Sequence, residues 1–203
     1  MPALQTNPFV IYPVVLEGAH VRLEPLMPGH AAGLAAVSDD PALFQYMSFG
    51  NIGRPDLLRA WIESVAREPE AGTGVPFAIV DRAAGAVAGS TSYGDIAGKH
   101  RSLEIGRTWL GTAYQRTALN TEAKYLLLRH AFETLGANRV QIKTDSRNFK
   151  SQAAIERLGA IREGVLRAHM TLPDGFVRDT VMYSVIAGEW PRVKAGLEDR
   201  MNR

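Results

Sequence analysis

Apolar and polar positions along the chain change period several times, and the changes mark the elements. Residues 103–110 read as a strand in which Glu104 faces away from Leu103 and Ile105. Residues 121–135 read as a helix: Ala123, Leu127 and Ala131 form one stripe, flanked by Leu128, Phe132 and Leu135, and Gly136 ends it. A second strand at 139–144 and a second helix at 148–158, closed by Gly159, complete this central stretch. Upstream, the pattern predicts a strand at 21–26, a short helix at 30–37 and a helix at 55–67 built on Leu57, Leu58, Trp61, Ile62 and Val65. Residues 68–74 read as a loop, and 76–81 and 86–93 as a hairpin, with 95–100 connecting it to the central strand. Downstream, strands are expected at 161–168 and 178–186 around the turn 172–176. A C-terminal helix at 190–203 carries Val193, Leu197 and Met201. Residues 1–15 form an N-terminal arm that docks on the chain's own surface or on a partner. The expected architecture is a single α/β (mixed α+β) domain over 1–203, with one mixed sheet flanked by helices.

Composition narrows the class. With 203 residues, 46% hydrophobic and 22% charged, the chain can bury a sizeable core. Apolar runs stay short of the roughly 18 residues of a membrane helix, so no membrane partner and no signal peptide are expected. A formal net charge of +2 does not call for nucleic acid. The chain contains no cysteine, which excludes a thiol nucleophile and suits a reducing cytoplasm. Its five histidines lack metal-ligand spacing, so no metal site is expected. Neither a G-x-x-x-x-G-K-[ST] phosphate loop nor a G-x-S-x-G elbow is present.

Candidate chemistry concentrates between Glu104 and Ser151. The loop 115–120 precedes a helix start, with Asn120 read as the N-cap, Glu122 suited to the first turn and Ala118 small enough for close approach. A helix start of this kind holds a phosphate, but a capped helix alone is the commoner explanation. Asn148 and Ser151 read first as an N-cap and a first-turn serine. Glu104 lies either on a solvated face or in a cleft, where burial would raise its pKa and make it a base. Lys143, Arg147 and Lys150 read as solvated charges with phosphate as the alternative partner.

The order of these signals is more specific than any one of them. Glu104-Ile105-Gly106 is followed by Gln115-x-x-Ala118-x-Asn120, Thr121-Glu122-Ala123 and Gly136-Ala137-x-Arg139-Val140. Asn148-x-x-Ser151, Glu156-Arg157-Leu158-Gly159-Ala160 and Glu163-Gly164-x-Leu166-Arg167 complete the series. This series resembles the GNAT superfamily of acyl-CoA N-acyltransferases, in particular its RimJ/RimL-like group, over about residues 16–190. The resemblance implies a splayed, mostly antiparallel sheet of about six to seven strands. It also implies an acetyl-CoA-dependent N-acetyltransferase acting on a small-molecule or peptide amine. Acetyl-CoA as co-substrate is expected on Gln115, Arg116, Thr117, Ala118, Leu119, Asn120 and Thr121 for the pyrophosphate, on Trp109 and Leu110 for the pantetheine arm, and on Asn148 and Ser151. Where related sequences carry glycine, this loop has other residues, and it is therefore expected to avoid positive φ. Glu104 and Ser151 are the implied catalytic base and thiolate proton donor. The acceptor is expected between 44–53 and 169–176, and a homodimer is implied. A non-catalytic CoA-binding or dimerising regulator of the same fold remains the alternative.

Overall fold

The computed structural model describes residues 8–202. In chain order its elements are β1 (Leu16–Glu17), β2 (Val21–Pro25), α1 (Ala31–Ala35), α2 (Pro55–Val65), α3 (Glu68–Ala71), β3 (Val75–Asp81) and β4 (Ala86–Ala97). There follow β5 (Ser102–Leu110), α4 (Ala118–Arg129), β6 (Arg139–Asp145), α5 (Phe149–Arg157), β7 (Ile161–Thr171), β8 (Val177–Ile186) and α6 (Trp190–Met201). The strands form one eight-stranded sheet in the order β1-β2-β3-β4-β5-β6-β8-β7. This is a mixed α/β fold in which only β5 and β6 run parallel. The expected six to seven strands become eight because the two-residue β1 pairs with β2.

The sheet buries both faces. On one, Leu126, Leu127 and Leu128 of α4, Ile155 of α5 and Leu197 of α6 pack with Leu103, Ile105, Val140 and Tyr183. On the other, Leu34 of α1 and Leu58, Trp61 and Ile62 of α2 pack with Phe44, Ala78 and Trp109. Tertiary context overrode three local readings. Residues 68–74 are not all loop: Glu68–Ala71 form α3, with Pro69 in its first turn and left-handed Gly72 as its cap. Strand β4 runs on to Ala97, because β5 offers it partners to that point. Helix α4 starts at Ala118, earlier than expected, and continues as a π-helical turn at His130–Thr134.

Glu122 is buried, and its role exceeds a favourable place in the first turn. Its carboxylate accepts from the backbone N–H groups of Ala19, His20 and Val21, each at 2.7 Å. Gly18 is required beside it, since a Cβ there would collide with the carboxylate. In the arm, Phe9 and Ile11 pack into the core of their own chain, and the Arg101 guanidinium lies 5.2 Å from the Phe9 ring centre. The earlier part of the arm lies outside the described residues.

Candidate active site

The site begins where two strands part. The parallel ladder between β5 and β6 ends at Glu104↔Gln141, whereas β5 continues to Leu110 and β6 to Asp145. Beyond that pair the two strands diverge, leaving a cleft between them. The far side of β5 is held in place by β4, but with a bulge: Ser92 pairs with Gly106 and Ser90 with Trp109. Thr91 thus faces two residues, Arg107 and Thr108, and Arg107 takes a left-handed φ of 51°. The extra residue reverses which side chains face which way. Leu103 and Ile105 belong to the core under α4, and after the bulge Leu110 does, while Trp109 turns to the opposite face against Phe44. Arg107 anchors the bulge through Nη1 to Glu68 Oε1 at 2.7 Å and Nε to Ser92 Oγ at 3.0 Å.

Glu104 projects into this cleft region, opposite Leu103 and Ile105 as its position predicts. It is only 8% exposed. Gly106 permits its placement, because a Cβ at 106 would overlap the carboxylate. Lys143 Nζ lies 2.7 Å from Glu104 Oε2 and 2.8 Å from Asp95 Oδ2, and Gln141 Nε2 lies 3.3 Å from both carboxylates. Burial raises the Glu104 pKa, with Lys143 acting in the opposite direction. Asp95 is the more exposed of the pair, and its hydrogen bond from Lys143 lowers its pKa. The solvated-charge reading of Lys143 is therefore corrected: its partners are the two carboxylates.

Behind the bulge stands a residue that the sequence reading missed. Lys124, on α4, is buried, and its ammonium donates to Thr108 Oγ1 and, at 3.3 Å, to Thr91 Oγ1. Burial lowers its pKa to about 7, the Glu104 charge opposing that shift. The available signal was the run Tyr125-Leu126-Leu127-Leu128 immediately after it. A helix apolar on so much of its circumference is enclosed, and a lysine within it is enclosed too.

The helix start at the end of β5 departs from expectation in two respects. Thr117, not Asn120, is the N-cap: its Oγ1 accepts from the Leu119 N–H at 3.3 Å and donates to the Tyr114 carbonyl at 2.7 Å. Ala118, Leu119 and Asn120 consequently lie in the first turn of α4, with the Leu119 side chain in the core. A threonine caps nearly as well as an asparagine, and the residues after Thr117 suit a helix, so the boundary moved. Arg116 has φ of 62°, so the loop does take a left-handed residue despite lacking glycine there. That conformation costs a non-glycine residue about 1 kcal/mol.

Gln115 ties this region across the cleft. Its Nε2 donates to the Leu110 carbonyl at 2.9 Å, and its Oε1 accepts from Lys150 at the start of α5. Asn148 caps α5, with Oδ1 accepting from the Ser151 N–H at 3.0 Å, so the ordinary reading of this pair holds in the structure. The fold thereby gathers Trp109 and Leu110, the 115–121 segment, and Asn148 with Ser151 around the parting of β5 and β6. Thr121 lies on α4, past the residues that cap it.

On the face occupied by Glu104, Arg147 pairs with Asp145 (Nη2 to Oδ2, 2.7 Å) and lies 3.5 Å from the Phe176 ring centre and 5.5 Å from that of Tyr46. Arg178 donates to the Tyr46 carbonyl at 3.1 Å. The two segments expected to form an acceptor pocket, 44–53 and 169–176, thus meet at these arginines. Among the described residues there is no cluster of three or more His, Cys, Asp or Glu able to hold a metal ion, and no helix is long and apolar enough to cross a membrane.

A family model described as an acetyltransferase (GNAT) domain matches residues 20–161. A Bacillus subtilis protein named "Putative ribosomal N-acetyltransferase YdaF" is 34% identical over 106 residues, covering 52% of this chain and 57% of that relative, so the match spans little more than half of its length. A solved acetyltransferase chain from T. thermophilus is 46% identical with a TM-score of 0.85, covering 94% of this chain and 98% of that one. Mycobacterium smegmatis RimJ, solved in complex with CoA-disulfide, shares the fold at a TM-score of 0.80 and 21% identity, covering 96% of this chain and 97% of that one. With the family model matched across most of the chain, the protein belongs to the GNAT acetyltransferase family.

Proposed function

We propose that the protein transfers the acetyl group of acetyl-CoA directly to a primary amine, either a protein N-terminus or a small molecule, with Glu104 as base and Ser151 as proton donor. The observation that carries this reading is the buried Glu104 carboxylate at the point where β5 and β6 part. A base for this reaction must take a proton from an ammonium of pKa roughly 8 to 10. Burial brings the Glu104 pKa upward toward that task, and Lys143 keeps the carboxylate from being neutralised outright.

The residues present suit acetyl-CoA. The first turn of α4 offers backbone N–H groups beyond the one that Thr117 caps, and its dipole favours the pyrophosphate. Ala118 leaves room for close approach, and Arg116 and Lys150 add positive charge. The edge of β5 that β6 leaves after Glu104 offers backbone groups at Trp109 and Leu110 to the pantetheine arm. Acetyl-CoA supplies the activated thioester. Glu104 takes the ammonium proton, directly or through one water, and the freed amine attacks the carbonyl carbon. As the C–N bond forms the C–S bond breaks, and the Ser151 hydroxyl gives its proton to the departing thiolate and regains one from solvent. No covalent enzyme intermediate is needed, so a chain without cysteine is adequate.

RimJ/RimL-like character, a cytoplasmic setting and a homodimer belong to the same reading. The homodimer is supported by β7, an edge strand that exposes Ile161, Val165 and Leu166. The test is CoA release from acetyl-CoA across a panel of amines and peptides, together with acetyl-CoA affinity by calorimetry. Release that depends on the acceptor is expected. Tight acetyl-CoA binding with no release to any acceptor would instead favour a non-catalytic member of the fold.

A further inference from the structure

Two buried donors on the cleft face have no acceptor. Arg178 is 6% exposed, yet its Nε has no hydrogen-bond partner. Among the described residues its one hydrogen bond runs from Nη1 to the Tyr46 carbonyl, and no carboxylate stands at ion-pair distance from it. The nearby carboxylate, Asp145, is already engaged by the Arg147 backbone N–H, Nε and Nη2. The second donor is Trp109 Nε1, also buried and without a partner. Both side chains border the same short segment: Trp109 packs edge-on against Phe44 at 5.2 Å, and Arg178 meets Tyr46. A guanidinium has five N–H donors, and enclosing one so sparsely bonded is costly unless an anion completes it.

The register shows what else shares this face. Val181, Tyr183 and Val185 of β8 point into the core under α4, so Arg178, Thr180, Met182 and Ser184 point the other way. Gln141, Lys143 and Asp145 on β6 share that direction with Glu104. One strip of the sheet therefore carries carboxylates at one end, where Glu104 and Asp95 share the single cation Lys143. At the other end a guanidinium is left over once Arg147 has paired with Asp145. The strip is acidic where an ammonium would react and cationic farther along β8.

We propose that the acceptor carries a carboxylate as well as its amine, and that Arg178 binds this carboxylate while the amine lies at Glu104. The proposal rests on the acetyl-transfer reading above and names its substrate class. From Gln141, opposite Glu104, the strip runs four residues to Asp145, which faces Thr180, and Arg178 lies two residues beyond. At about 3.3 Å per residue this spacing favours an amine and a carboxylate separated by several bonds. Such an acceptor is either a peptide N-terminus followed by an acidic residue or a long ω-amino acid, and an α-amino acid is too short.

The test compares acceptors that differ only in the carboxylate. Thiol release is measured with 6-aminohexanoate against its amide, with a peptide beginning Ala-Glu against one beginning Ala-Gln, and with glycine against glycinamide. For the first two pairs the acid is expected to exceed the amide in kcat/KM by about tenfold or more, the scale of a charge-assisted hydrogen bond. The first pair responding without the second indicates a small-molecule acceptor, and the reverse a peptide; either supports a carboxylate site. In Arg178→Gln the acid-to-amide ratio should fall toward one, chiefly through acceptor KM. Arg178→Lys should retain part of it, and matching thermal melts would exclude unfolding as the cause. Acid-to-amide ratios near one in both pairs, with thiol release proceeding, would overturn the proposal and leave acetyl transfer standing. If no acceptor supports release, calorimetry with the same acids and amides in the presence of CoA decides. Acid-selective binding lost in Arg178→Gln supports the site, and equal or no binding overturns it.

Discussion

Lys124 gives the sharpest prediction, because its cost to the fold depends on pH. The lysine is buried and its pKa falls from 10.5 to about 7, whereas the unfolded chain holds it near the ordinary value. Between these two values the unfolded state binds more protons than the folded state, so stability rises with pH there. Replacing Lys124 with methionine removes the titration and keeps similar bulk. The hydroxyls left behind are not orphaned, since Thr91 Oγ1 and Thr108 Oγ1 lie 2.8 Å apart and bond each other. Treating the lysine as a single site, its ionisation costs the wild type about 4 kcal/mol at pH 7.5 and about 1.4 kcal/mol at pH 9.5. The stability advantage of Lys124→Met over wild type should therefore shrink by about 2.5 kcal/mol across that interval. Urea denaturation of both proteins at several pH values measures it, and taking the difference cancels every group they share. A difference that stays constant with pH, or a variant less stable than wild type at pH 7.5, would refute the reasoning.

Other predictions concern the chemistry and the loop. Glu104→Gln should lower turnover by about 10²–10⁴-fold while leaving acetyl-CoA affinity by calorimetry within a few-fold; unchanged kcat removes Glu104 as base. Because the Glu104 pKa is raised, the rate should climb with pH through that value on the acid side of a kcat/KM profile. Lys143→Met removes the cation that lowers it, and the acid limb should move to higher pH; a limb that stays put separates Lys143 from the base. Ser151→Ala should slow acetyl transfer to ordinary amines without weakening CoA binding, and equal rates would exclude the hydroxyl as proton donor. Arg116→Gly should gain about 0.5 kcal/mol of stability by easing the left-handed residue, and a loss of stability in urea denaturation would show that the arginine side chain matters more than its backbone.

What the chain alone determined was local order. Strand β5, strand β6, and the helices between and after them were legible because their apolar residues recur at the periods of strand and helix, and Gly136 and Gly159 punctuate them. The predicted alternation placed Glu104 opposite Leu103 and Ile105, which is where it lies. Depth was a different matter. Whether that opposite face was solvated or enclosed depended on the packing of α1 and α2 and on Lys143 arriving from a strand 39 residues away in sequence. The bulge at Arg107 reversed the alternation within β5, and nothing in the residues 107–110 announced it. Thr117 and Asn120 were both competent caps, and the choice fell to the turn at Arg116. Lys124, Arg178 and Trp109 were ordinary residues in their own segments. Their lost or unused hydrogen-bonding capacity exists only because the tertiary structure removes water from them, and that is a property of the surroundings, which a residue's own sequence neighbours do not encode.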